Sequence, residues 1–94
     1  GMKEKIELQV VLAPTHAAYT FRVPLDLTVA EAATLVSRLL ERQEPALWRA
    51  TGKEDLMLCD LGAEDAGELL NPNETIRALS AFGVLANGTR VALV

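Results

Sequence analysis

Residues 4–12 alternate. Ile6, Leu8, Val10 and Leu12 interleave with Lys5, Glu7, Gln9 and Val11. Strand side chains point to opposite faces with period two, so the run predicts a strand with one buried face. Residues 13–18 break the pattern around Pro14 and predict a turn. Alternation resumes over 19–25, with Tyr19, Phe21, Val23 and Leu25 on one face and Thr20 and Arg22 on the other. Two alternating runs with a short break between them predict a hairpin.

The period then changes. Thr28-Val29-Ala30-Glu31 has the spacing of a capping box, in which the threonine hydroxyl accepts the third helical amide and the glutamate reaches back. Val29, Ala32, Val36, Leu39 and Leu40 follow at helical spacing, with Leu35 at the edge of the stripe. Arg38, Glu41 and Arg42 lie toward water. This predicts an amphipathic helix over 28–43, stopped near Pro45 and lying across the apolar face of the hairpin.

Residues 44–55 show no clear period. Trp48 is expected to pack against the helix end, and residues 52–54 read as a loop. A strand is expected over 55–61, with Leu56, Leu58 and Leu61 as core candidates. A loop at 62–66 and a very short strand at 67–70 follow. Asn71-Pro72-Asn73 reads as a turn and 75–82 as a short helix closed by Gly83 in a left-handed conformation. Asn87-Gly88 signals a tight turn, and 89–94 form a last strand. That strand is expected inside the sheet, beside the first and parallel to it.

This order is that of an α+β, β-grasp (ubiquitin-like) fold, a mixed sheet of four to five strands packed on one main helix. Its 94 residues suit a single domain over 1–94. The second half also carries a family resemblance. The run G-E-L-L-N-P-N-E-T-I-R-A-L-S-A-F-G-V-L-A-N-G-T-R-V-A-L-V resembles the ubiquitin-like signature of glycine, leucine, turn, threonine, short helix and closing apolar strand. Within that superfold, its last sixteen residues and the D-L-M-L-C-D-L segment are similar to small bacterial proteins of the YukD/EsaB type. That resemblance implies association with WXG-type (type VII, ESX-like) secretion, in the cytoplasm and without enzymatic activity.

Composition narrows the chemistry. The net charge of −4 offers no basic footprint for nucleic acid or an anionic membrane. No apolar stretch approaches the roughly 20 residues a membrane-spanning helix needs. Lys3, Glu4 and Lys5 lead directly into the first alternating run, unlike a secretory signal. Cys59 is the single cysteine, so no intrachain disulfide forms, which suits a reducing compartment. With His16 it makes neither a zinc set nor a supported nucleophilic dyad, because Asp60 beside the thiol would raise its pKa. Seven carboxylates and no Lys or Arg occur between Glu54 and Glu74. They read as a solvated surface or a docking surface for a basic segment, and they lack the spaced ligands of a calcium loop. The glycines Gly62, Gly67, Gly83 and Gly88 fall at expected turns and form no nucleotide-binding motif. No catalytic residue, metal site or cofactor is expected.

The outward face of the sheet is the candidate site. If Leu56, Leu58, Val91 and Leu93 point inward, then Met57, Cys59, Arg90, Ala92 and Val94 point outward. They would form a modest apolar patch edged by Arg90 and Asp60, suited to a protein partner and, on the resemblance, to secretion-machine components. Self-association into a homo-oligomer through the same patch is a second reading. A third is a sulfur carrier or protein modifier. That chemistry uses a C-terminal di-glycine, and this sequence closes on Arg90-Val91-Ala92-Leu93-Val94.

Overall fold

The computed structural model describes residues 4–12, 15, 17–60 and 63–94, with side chains at all of these except 60 and 63–66. Strands β1 (Lys5–Val11) and β2 (Ala18–Pro24) pair antiparallel, with Leu8 opposite Phe21 and Val10 opposite Tyr19. Helix α1 runs Val29–Gln43. Strands β3 (Leu56–Asp60) and β4 (Ala63–Leu69), helix α2 (Ile76–Ala81) and strand β5 (Thr89–Leu93) complete the chain. The sheet order is β2-β1-β5-β3-β4. β5 pairs parallel with β1 and antiparallel with β3, so the closing strand is central, as expected. With α1 across one face, this is the β-grasp arrangement.

The capping box forms as its spacing requires. The Glu31 amide donates to Thr28 Oγ1 at 3.2 Å, and the Thr28 amide donates to Glu31 Oε1 at 2.9 Å. Arg42 sits in the last turn, where a cation complements the helix dipole. The first amides of the two helices are satisfied across the gap between them. Val29 and Ala30 donate to the carbonyls of Glu74 and Pro72, while Ile76 and Arg77 donate to those of Leu27 and Leu25. Arg77 adds side-chain bonds to Asp26 Oδ1 at 2.9 and 3.1 Å, and these together with the Asp26 charge hold its pKa above the ordinary arginine value.

The core forms between the sheet and α1 from Leu8, Val10, Val23, Val36, Leu40, Leu56, Ile76 and Val91, among others. The buried stripe of α1 is Val29, Ala32, Ala33, Val36, Ser37 and Leu40. Leu39 was expected on it but lies at the rim, 36% exposed. The stripe is rotated toward Ala33 and Ser37 because residues 44–50 turn back along that side. The Leu47 and Trp48 amides donate to the Glu44 carbonyl, and Trp48 Nε1 donates to Ser37 Oγ at 2.8 Å. Trp48 thus packs against the core near the helix end, and its indole satisfies the one buried serine.

The last connections are pinned to β1. The Glu7 amide donates to Asn87 Oδ1 at 2.9 Å, and the Gly88 amide donates to the Glu7 carbonyl at 2.8 Å. Gly88, with φ +88°, takes the left-handed conformation this turn requires, as Gly83 does after α2.

Two expectations need correction. The segment expected as a loop at 62–66 is largely strand, because β4 begins at Ala63, and its residue 62 lies outside the described residues. Local composition hid this strand. Its residues Ala63-Glu64-Asp65-Ala66-Gly67 have little β-propensity, and within this stretch the register partners on β3 fall to Ala63, opposite Asp60, and Gly67, opposite Cys59, on either side of a register shift. Gly67 is also no turn glycine. It lies in β4 opposite Cys59, and a Cβ there would stand 1.9 Å from the Leu58 carbonyl oxygen. The register between β3 and β4 shifts beside this pair, between Cys59 and Asp60. Leu61, offered as a core residue, and His16, offered beside Cys59, lie outside the described residues.

Candidate functional site

Register defines the sheet face that points away from α1. Val11 pairs with Ala18 on β2 and Ala92 on β5, Ala92 pairs with Met57 on β3, and Met57 pairs with Leu69 on β4. An uninterrupted apolar row, Ala18–Val11–Ala92–Met57–Leu69, therefore crosses all five strands. At about 4.8 Å between strands it is roughly 19 Å long. A second row runs beside it and is more polar. Thr20, Gln9 and Arg90 are in register, and the Leu58–Val91 pair sets Cys59 on the same face one step further along.

The five residues expected on this face share it by strand alternation, but they differ in exposure. Arg90 is exposed, Met57 and Cys59 are half-buried, and Val94 is 46% exposed. Ala92 is wholly buried, as is Val11 beside it, so Ala92 is floor rather than contact surface. Val94 is held by two backbone bonds, donating to the Asp55 carbonyl at 3.0 Å and accepting from the Asp55 amide at 2.8 Å. Leu58, expected inward, is half-buried and packs against the core. The Asp60 side chain, expected at the patch edge, is not among those described.

Leu69, the one large exposed side chain of the row at 63%, escaped the sequence reading. Its signal was faint. The short G-E-L-L strand assigns no face until its partner is known, and the Met57–Leu69 pairing supplies that. Phe82 at the end of α2 is more exposed still, but it lies with Val84 on the loop after that helix, outside the sheet register.

The most heavily donated side chain lies on a different surface. Glu54, 7% exposed, accepts the Thr51 amide, the Thr51 hydroxyl at 2.7 Å and the Gly52 amide at 3.1 Å. Burial alone would push its pKa up, but these donors outweigh burial and hold it below the ordinary carboxyl value. This is a structural clasp for the 51–54 turn, in which Gly52 has φ +83°. Among the described residues no cluster of His, Cys, Asp and Glu could hold a metal ion. None of their helices is long and apolar enough to cross a membrane.

Comparison with known proteins follows the fold. No protein-family model matches the sequence, and no curated protein matches it significantly. Solved structures do. The EccD5 ubiquitin-like domain from Mycobacterium xenopi superposes with a TM-score of 0.66 at 17% identity, over 97% of this chain and 93% of that one. The UBL domain of Plasmodium falciparum Dsk2 gives 0.62 at 14% identity, over 97% of each chain. A chain of the MycP5-free ESX-5 inner membrane complex gives 0.67 at 14% identity. That match takes in 96% of this protein but only 20% of the larger chain. The likeness establishes the ubiquitin-like fold, and two of these neighbours come from type VII secretion.

Proposed function

We propose that this protein is a non-enzymatic, cytoplasmic interaction module of a WXG-type (type VII) secretion system, with an accessory or adaptor role and of the YukD/EsaB-like type. It docks a protein partner through the sheet face opposite α1. The observation that carries the reading is the apolar row across all five strands, with Leu69 exposed at one end and Val94 and Arg90 beside it. A flat apolar surface rimmed by polar residues is what a transient protein interface offers. Ala92 and Val11 form its floor, Met57 and Cys59 its half-buried centre, and Leu69 and Val94 its accessible apolar contacts. A flexible methionine lets such a surface adapt to its partner. The resemblance in the second half of the sequence and the two secretion-system neighbours point to components of that machine as partners.

The test is binding of purified secretion-machine components to wild type, to Leu69→Asp, and to Met57→Asp combined with Arg90→Glu. Leu69→Asp alters an exposed side chain and is expected to keep the wild-type circular dichroism and melting temperature. Both variants are expected to lose capture. Wild-type capture by folded Leu69→Asp and by the double variant would overturn the sheet-face reading. Sedimentation at several concentrations checks the homo-oligomer alternative, which predicts a mass that rises with concentration and falls in Leu69→Asp.

A further inference from the structure

On the other side of the molecule, a cleft of about 540 Å³ lies between the C-terminal half of α1 and the 50–54 segment. Arg38, Glu41 and Arg42 line it on the helix side, and Thr51, Gly52 and Glu54 on the other. Its two carboxylates are already engaged. Glu41 Oε2 accepts the Ala50 amide at 3.0 Å, and Glu54, still charged, accepts from Thr51 and Gly52. Its two guanidiniums are not. Arg38 and Arg42 are exposed, and among the described residues neither has an ion-pair partner. Arg49 and Lys53, both exposed, are sequence neighbours of its lining residues.

We propose that this cleft binds an extended segment of a partner protein carrying two carboxylates in alternate positions. Arg38 and Arg42 are one helical turn apart, which sets their Cβ atoms about 5–6 Å from each other on one face. Side chains two residues apart in an extended peptide share a face at about 6.6 Å. An acidic-x-acidic segment laid along α1 therefore meets one guanidinium with each carboxylate, and each pair can form the forked, charge-assisted geometry that arginine favours. Adjacent acidic residues point to opposite faces and cannot do this. A second copy of this chain is a poor occupant, because none of its thirteen carboxylates has another two residues away. A nucleic-acid strand is also disfavoured. The cleft has no aromatic lining on which bases stack, and the net charge of −4 repels a polyanion. This surface is separate from the sheet face, so the two readings stand or fall independently.

The probes are three fluorescein-labelled heptapeptides of Gly and Ser carrying two alternate glutamates, two adjacent glutamates, or two glutamines. Fluorescence anisotropy at low ionic strength is expected to show the alternate-glutamate peptide binding severalfold more tightly than the adjacent-glutamate peptide, which can form one ion pair, and about tenfold more tightly than the glutamine peptide, which forms none. Arg38→Gln combined with Arg42→Gln removes that preference, while Leu69→Asp leaves it intact. Equal binding of the three peptides to wild type overturns the proposal without reference to any variant. So does a double variant that binds as wild type does. A thymidine oligonucleotide that displaces the peptide at lower concentration assigns the cleft to nucleic acid. Self-association lost in the double variant assigns it to a second copy. Either result overturns the proposal.

Discussion

Two residues show how a side chain, or the lack of one, fixes local structure here. Gly67 exists because β4 passes so close to β3 that any Cβ would stand 1.9 Å from the Leu58 carbonyl oxygen. That neighbour is backbone and cannot rotate away. Gly67→Ala is therefore expected to destabilise the fold by about 1–3 kcal/mol, the usual cost of overpacking, read as a lower urea midpoint. Glu54 is the opposite case, a buried carboxylate held charged by three donors from one turn. Its pKa is lowered on folding from 4.5. The stability it contributes is thus complete above pH 4.5 and lost as pH falls through its folded value. Glu54→Gln is expected to cost about 1.5–3 kcal/mol at neutral pH, as loss of hydrogen bonds to a charged group does. Urea denaturation across a pH series should show the gap between variant and wild type shrinking below pH 4.5.

The helix boundaries are set by caps that act as units. Thr28 closes a reciprocal box with Glu31, and Thr75 accepts the Ala78 amide at 3.1 Å to start α2. Thr28→Ala leaves the Glu31 amide without its acceptor and is expected to cost about 1 kcal/mol in chemical denaturation. The 44–50 segment attaches to α1 through one indole. Trp48→Phe keeps most of the ring burial but leaves the buried Ser37 hydroxyl without its donor. Its expected cost is about 1–3 kcal/mol, and Ser37→Ala in the same background should recover part of it, because the unsatisfied hydroxyl is then gone. Failure to recover would mean that ring packing, not the hydrogen bond, holds the segment.

Across the whole molecule, stability follows position in the sheet. β5 lies between β1 and β3, and its Val91, Ala92 and Leu93 are fully or almost fully buried, whereas β2 and β4 are the edges. Native-state hydrogen exchange is expected to be slowest at the β1 and β5 amides and faster in β4, whose outer backbone groups lack a strand partner. The same centrality makes Ala92 the floor of the apolar row and leaves Leu69 and Val94 as exposed apolar side chains at its margins.

Much of this was legible in the chain. Period-two runs gave β1 and β2, the Asn87-Gly88 turn and the apolar run after it gave β5, the T-V-A-E box gave the start of α1, and the order of elements gave the β-grasp, because each signal depends on residues close in sequence. The facing of Met57, Cys59, Arg90, Ala92 and Val94 followed from alternation alone. Their exposure did not, since burial depends on which strands lie on either side, and that is a long-range fact. Strand β4 was hidden because its first residues have little β-propensity and meet β3 across a register shift, at Asp60–Ala63 and Cys59–Gly67. Leu69 joined the candidate site, and Leu39 left the core, through pairings and packing made by residues distant in the chain. Periodicity reports which way a side chain points, and only neighbours brought together by folding set what covers it.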